Sequence, residues 1–141
     1  MNRFLKITST IATTLYASLH SGFLPAQTDL ETRQVTLSQN LKAGDRVEQF
    51  RFLGMLELPD MTHDGVRLSQ LSGLAWDDDE GILYTLSDKG GLFHLQPQFN
   101  GEQLTGIKLL RAVTLREPGT DKPLRGWRID AEGLDIVNGG N

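Results

Sequence analysis

The segment LSGLAWDDDEGILYTLSDKGGLFHLQPQF, residues 71–99, decides the fold. Its three runs rich in apolar and β-branched residues, 71–76, 82–87 and 92–99, are separated by short segments of Asp, Glu, Lys and Gly. Runs of this length between turn-forming residues are typical of antiparallel strands joined by tight turns. The segment therefore predicts a three-stranded meander.

A fourth strand follows the meander. Asn100-Gly101 is a dipeptide that favours a hairpin turn, and residues 107–116 alternate between apolar and polar side chains. After residue 27 no segment keeps a helical period of apolar residues for three turns, so the fold class is all-β. Four short antiparallel strands in succession are typical of one blade of a β-propeller.

The chain also contains an internal echo of the start of this blade. Ser72-Gly73-Leu74 recurs as Glu132-Gly133-Leu134 after 60 residues, and an apolar run follows each copy. Each copy falls where the first, innermost strand of a blade is expected to begin. The sequence therefore predicts a β-propeller fragment with about one four-stranded blade, flanking strands and the start of the next blade.

The residues before the blade divide into a polar segment and an alternating one. Residues 27–46 are a polar N-terminal lead-in with one short strand, whereas residues 47–59 alternate well and predict a strand that could close the last blade, with a bulge at Gly54. Because propellers contain four to eight blades, we expect residues 47–141 to be the N-terminal part of a domain truncated at its C-terminus. The missing C-terminal blades of the same chain are then its expected partners.

The first 26 residues have the layout of a secretory signal peptide. Arg3 and Lys6 give a positive start, residues 7–24 carry no charge, and Pro25-Ala26 is a plausible cleavage site before Gln27. The expected location is therefore outside the cytoplasm, periplasmic or secreted, with no membrane span after cleavage. The alternatives are a marginal amphipathic helix or an uncleaved N-terminal anchor.

Composition excludes two classes of function. With 38% hydrophobic residues, 23% charged residues and a net charge of −4, the chain is ordinary globular material. It has no basic stripe that could hold a nucleic-acid backbone. It contains no Cys, which excludes disulfides and thiolate chemistry.

Several motifs resemble the phytase-like family, whose members are exported bacterial β-propellers described as having esterase-like activity. The resemblance rests on LSGLAWDDDEGILYTLSDKGGLFHL at 71–95, on DKPL at 121–124 and on DAEGL at 130–134, in that order. It covers residues 50–137 and only the N-terminal portion of the family domain. It implies a hydrolase that acts on phosphate or other small-molecule esters.

Acidic residues at the starts and ends of the predicted strands form the candidate metal site. Asp130 and Glu132 precede a strand that would line the propeller channel, and Asp88 follows the strand that ends at Ser87. Clustered carboxylates repel one another unless a cation is present, and Ca²⁺ or another divalent cation is a natural occupant. Such an ion would polarise a bound ester. We therefore predict Glu132 and Asp130 as catalytic residues, and both of them with Asp88 as metal ligands.

Three further residues are predicted to bind substrate. Lys89 and Arg128 could meet a phosphate, and Ser72 occupies the position in its blade that Glu132 occupies in the next. Each candidate also has an ordinary alternative. Asp88 could be a turn cap, Ser72 a turn hydroxyl, and the other residues solvated charges. No G-x-S-x-G motif surrounds Ser72, which argues against serine-hydrolase chemistry. The acidic turn at 77–80 lacks the spacing of an EF-hand and is read as a solvated hairpin tip.

Two other functions fit the same predicted fold. A non-catalytic propeller would bind a ligand or a protein across the channel face without turnover. A lactonase-type propeller also uses axial carboxylates and a divalent ion. The sequence does not rank substrates, because the blades that would set specificity are expected to lie beyond residue 141.

Overall fold

The computed structural model describes residues 27–124 and 133–136. The predicted signal peptide, residues 1–26, lies outside the described residues, as do the predicted site residues Arg128, Asp130 and Glu132. The regular structure of the described residues consists of β-strands. Within these residues no helix has the length and apolar character needed to cross a membrane.

Eleven strands run through the described residues. In chain order they are β1 Thr28–Asp29, β2 Arg33–Gln34, β3 Arg46–Val47, β4 Phe50–Arg51, β5 Leu56–Glu57, β6 Met61–His63, β7 Val66–Leu68, β8 Leu71–Asp77, β9 Ile82–Ser87, β10 Gly91–Asn100 and β11 Gln103–Thr114. One five-stranded sheet has the order β1-β11-β10-β9-β8, and its neighbouring strands are antiparallel. Three two-stranded sheets, β2-β5, β3-β4 and β6-β7, complete the described part.

The predicted meander is confirmed as β8, β9 and β10, and the fourth predicted strand as β11. The all-β architecture is as expected and is consistent with a propeller fragment. The fifth strand of the sheet, β1, comes from the lead-in, where Thr28 pairs with Leu109 of β11. The lead-in was predicted to hold one short strand, but it also contains β2 and the first residue of β3.

Side-chain and glycine chemistry explains the turn between β8 and β9. The Asp77 carboxylate accepts hydrogen bonds from the backbone N–H groups of Asp79 and Glu80, each at 3.1 Å. Gly81 closes the turn with a φ of 66°, and its N–H donates to the Asp77 carbonyl at 2.9 Å. A side-chain oxygen that replaces a backbone acceptor in this way is the usual reason for Asp in turns. Asp77 is itself buried, so only part of the predicted solvated tip is solvent-facing.

The turn between β10 and β11 lies one residue later than predicted. Asn100 pairs with Gln103, so the two turn residues are Gly101 and Glu102. Gly101 has a φ of 60° at the first turn position. A positive φ at that position alone defines a type II′ turn, which favours Gly there.

The core lies on one face of the five-stranded sheet. Phe93 and Leu95 of β10 and Leu109 of β11 are almost completely buried, and Val66 and Leu68 of β7 belong to the same cluster. Burying each of these large side chains stabilises the fold by roughly 1.5–3 kcal/mol. The β6–β7 hairpin therefore covers this core.

The β6–β7 hairpin was absent from the sequence prediction. Asp64 and Gly65 connect its strands with φ values of 49° and 79°, and His63 pairs with Val66. Positive φ at both turn residues defines a type I′ turn, for which Asp-Gly is a strong signal. That dipeptide, flanked by alternating apolar residues, was the signal that could have revealed the hairpin.

The prediction of one strand over residues 47–59 is wrong. Val47 pairs with Phe50 across a two-residue turn in which Glu48 has a φ of 55°, so the first part is the β3–β4 hairpin. Gly54, predicted as a bulge, lies between strands with a φ of 130°. Alternation with a period of two persists through each arm of a hairpin, so the pattern alone does not distinguish one long strand from two short ones.

Candidate functional site

Three predicted site residues lie at one corner of the five-stranded sheet. β8 begins where β9 ends, and Leu71 pairs with Ser87 there. Ser72 follows Leu71 at a break in the strand register, while Asp88 and Lys89 follow Ser87. The structure therefore brings Ser72, Asp88 and Lys89 to the same end of the sheet.

Hydrogen bonds of the Ser87 hydroxyl and of the backbone fix the turn that carries Asp88 and Lys89. The Ser87 hydroxyl donates to the Ser69 carbonyl at 2.6 Å and accepts from the Lys89 N–H at 3.1 Å. The Asp88 N–H donates to the carbonyl of Gln70 at 3.0 Å. Gln70 has a φ of 50°, a conformation that is uncommon outside glycine and is found where surrounding contacts over-determine the backbone. The corner is thus held in one arrangement.

Asp88 carries the most informative atom of this corner. Its Oδ1 is buried and has no hydrogen-bond partner among the described residues. Burying a polar oxygen without a donor or a cation costs free energy, and most such groups in folded proteins have a partner. The sequence suggested a turn cap as the ordinary alternative, but this oxygen caps no described backbone N–H. Within the described part of the chain, this oxygen is not committed to any donor.

The repeated x-Gly-Leu motif forms a direct contact. A Cβ added to Gly73 would lie 3.2 Å from the Leu134 backbone nitrogen and 3.3 Å from both the Gly133 carbonyl carbon and the Leu134 Cβ. Only a residue without a side chain allows the two backbones to come so close. Ser72 directly precedes one partner of this contact, and Glu132 directly precedes the other in sequence.

Gly133 and Leu134 lie on the face of the sheet opposite the core. Gly73 pairs with Leu86, which is buried but belongs to no part of the core cluster. Paired residues on neighbouring strands project to the same side of a sheet. The same face also carries Tyr84 and His94, which form an edge-to-face contact with ring centroids 4.6 Å apart. The edge of the second face at Gly73 is therefore covered by Gly133 and Leu134.

Lys89 lines a shallow charged pocket of about 190 Å³ together with Asp60, Arg67, Ser69 and Gln70. Arg67 donates to Asp60 in a bidentate pair, from Nε at 3.0 Å and from Nη2 at 2.7 Å. This hydrogen bonding holds the pKa of the Asp60 carboxyl below its usual value. Sequence reasoning missed Asp60 and Arg67 because it missed the β6–β7 hairpin that brings them together.

The predicted metal ligands lie mostly outside the described residues. Glu132, Asp130 and Arg128 lie outside the described residues, so their predicted roles stay predictions. Among residues 27–124 and 133–136 no group of three or more His, Asp or Glu side chains is placed to hold a metal ion. Of the predicted metal ligands, Asp88 alone lies within the described residues, where its Oδ1 has no hydrogen-bond partner.

Burial changes the titration of the histidine on the second face. It lowers the pKa of His94 below its ordinary value of 6.5, and the nearby positive charge of Arg111 lowers that pKa further. Burial, assisted by the negative charges of Glu80 and Asp77, raises the pKa of Tyr84. Both residues are therefore favoured in their neutral forms.

These features define an all-β protein whose blade-like sheet carries a polar corner at the start of its edge strand. A family model described as phytase-like, esterase-like activity of phytase, matches residues 66–141, which is more than half of the chain. The chain therefore belongs to the phytase-like family, as its motifs suggested. No curated protein and no solved structure matches it significantly.

Proposed function

We propose that this chain is part of an exported hydrolase, periplasmic or secreted, that cleaves phosphate or other small-molecule esters with a divalent cation. The cation, Ca²⁺ or a similar hard ion, would be held at the channel end of β8 by oxygen ligands. Membership in the phytase-like family supports an esterase-like propeller of this kind. The residues of the corner support the more specific parts.

The observation that carries the proposal is the buried Oδ1 of Asp88, which has no hydrogen-bond partner among the described residues. A buried carboxylate oxygen without a donor is stabilised by a bound cation, because the ion compensates its negative charge. Ca²⁺ takes six to eight oxygen ligands, so Asp88 is one contributor. Glu132 and Asp130 are the proposed further ligands, and the remaining blades of the chain would complete the set.

The proposed roles of the site residues follow from the chemistry of their side chains. Glu132 and Asp130 act on the ester directly, while Lys89, Arg128 and Ser72 bind it. When bound, the cation supplies Lewis acidity that polarises the ester. Lys89 is exposed beside Asp88 in sequence, and a lysine ammonium is a suitable point charge for an anionic substrate.

The test is a comparison of calcium-loaded and chelated full-length protein. We expect Ca²⁺ to raise the melting temperature and to support hydrolysis of a panel of esters, since a ligand present at 100 times its Kd stabilises the folded state by about 2.7 kcal/mol. Asp88→Asn and Glu132→Gln should each reduce that calcium-dependent increase. Asp79→Asn is the matched control, because its exposed carboxylate lies in the turn after β8 and only its backbone N–H makes a described hydrogen bond.

The possible results separate the competing functions. Absence of any calcium effect on melting or turnover contradicts the proposal. Opening of lactones without hydrolysis of phosphate esters would identify a lactonase-type propeller instead. Tight ligand binding without turnover of any ester would identify a non-catalytic binding protein.

A further inference from the structure

A second pocket adjoins the charged one at the same corner of the sheet. It has a volume of about 270 Å³ and shares the residues Asp60, Ser69 and Gln70 with the charged pocket. Its other walls are apolar and are formed by Leu58, Pro59, Leu68 and Leu71. The two pockets are therefore the apolar and charged halves of one groove.

The charged half has a surplus of positive charge. The carboxylate of Asp60 is paired with Arg67 through two hydrogen bonds. Lys89 makes no ion pair with any residue of the described part of the chain. One ammonium group in the groove therefore lacks a described counter-charge and can bind an anion.

The donors of this half suit an anion with several oxygens. The Nη1 of Arg67 makes no hydrogen bond to a described residue, because only Nε and Nη2 bind Asp60. Asp60 thus occupies one edge of the guanidinium, and the Nη1 donors are left for a ligand. Separate donors on Lys89 and Arg67 match a tetrahedral anion, whose oxygens point in different directions.

We propose that this groove binds a small ligand with one anionic group, of the phosphate type, and one short apolar group. The anion lies between Lys89 and Arg67, and the apolar group lies against Leu58 and Leu71. The combined volume falls in the lower part of the range of ligand pockets, which limits the ligand to a few heavy atoms beyond the anion. This inference rests on the proposed function because Lys89 belongs to both the groove and the proposed substrate site. It narrows the proposed substrate to an ester whose alcohol part is apolar.

The experiment is a comparison of two ligands with the same anion. Binding of phenyl phosphate and of glycerol phosphate to the full-length protein is measured by calorimetry in the presence of a chelator. We expect phenyl phosphate to bind roughly tenfold more tightly, because its ring removes apolar surface from water and the polar glycerol group does not. Raising the salt concentration should weaken both, since the charged half is open to solvent.

Two pairs of variants test the two halves. Lys89→Gln should weaken both ligands about fivefold, whereas Lys122→Gln, an exposed lysine outside the groove, should not. Leu71→Ala should weaken phenyl phosphate about threefold and leave glycerol phosphate unchanged. Leu74→Ala is its control, since Leu74 is an exposed leucine of the same strand that does not line the groove.

Equal affinity for the two ligands overturns the inference, as does an effect of Lys89→Gln no larger than that of Lys122→Gln. The chelator separates this result from the proposed function. Selective binding without calcium-dependent hydrolysis supports the groove and contradicts the hydrolase. Calcium-dependent hydrolysis without selective binding supports the hydrolase and contradicts the groove.

Discussion

Replacing Gly73 with alanine places a methyl group in the contact between β8 and residues 133–136. The new Cβ would lie 3.2–3.3 Å from two backbone atoms and from the Leu134 Cβ. These distances are shorter than ordinary van der Waals contacts, and backbone atoms do not rotate away as a side chain does. One of the two segments must therefore move by a few tenths of an ångström.

The expected effect follows from two opposing contributions. Overpacking of a tight contact costs about 1–3 kcal/mol, whereas replacing glycine by alanine at an unstrained position stabilises the protein by about 0.4–1 kcal/mol through the unfolded state. Gly73 is not among the glycines with positive φ, so backbone strain adds nothing. We expect a net loss of about 1–2 kcal/mol in the free energy of unfolding.

Gly106→Ala is the matched control for this experiment. Gly106 is also a strand glycine without positive φ, but its added Cβ would meet chiefly the terminal Oε1 of the Gln98 side chain, at 2.5 Å. That exposed carboxamide can rotate away, giving up only its exposed hydrogen bond from Nε2 to the Asp29 Oδ1, so we expect a change of about 0.5 kcal/mol.

Urea unfolding of the full-length protein and the two variants, followed by circular dichroism, gives the free energies. If Gly73→Ala is as stable as Gly106→Ala, then the contact between the two x-Gly-Leu motifs is not tight. That result would contradict the close approach of β8 to Gly133 and Leu134.

Two further results are expected. A Cβ at position 73 would lie 3.3 Å from that of Leu134, close to the usual disulfide spacing of about 3.8 Å. Because the chain has no Cys, the double variant Gly73→Cys and Leu134→Cys should form an intramolecular disulfide on mild oxidation. Two free thiols by mass spectrometry would contradict the contact, and Gly65→Cys with Leu134→Cys is the control. The lowered pKa of His94 means that the unfolded chain binds a proton more readily than the folded one, so stability should be full above pH 6.5 and fall as the pH drops below 6.5 towards the lower pKa of the folded state. His94→Gln should flatten the dependence of melting temperature on pH in that window, and an unchanged slope would assign it to another group.

The central meander could be predicted because its information is local. Each of its strands is bounded by residues whose turn chemistry acts within a few positions, as Asp77 does on Asp79 and Glu80. The fold of the region before the meander could not be predicted without knowledge of its tertiary contacts. The alternation in residues 47–59 fits one strand or a hairpin equally well, and the exposure of Phe50, 66%, shows that its apolar residues do not all face a core.

The candidate site was predictable in position but not in detail. Strand order alone places Ser72, Asp88 and Lys89 at one corner, because β8 and β9 are joined by a short turn. No local pattern reveals that the Asp88 Oδ1 has no partner among the described residues. The surrounding polar groups bond instead to the carbonyls of Ser69 and Gln70, which lie outside the turn. The pairing of Asp60 with Arg67 depends likewise on the β6–β7 hairpin.

The position of the glycines explains why contact and chemistry coincide in this sequence. In both copies of the motif the glycine follows directly after a polar residue, Ser72 in one and Glu132 in the other. If Ser72 and Glu132 act in one site, as proposed, the close approach of Gly73 to Gly133 and Leu134 is the described contact on which that site depends. A larger residue at position 73 would push residues 133 and 134 away from β8. In the proposed site Gly73 would therefore act by permitting this close approach, without contributing a functional group of its own.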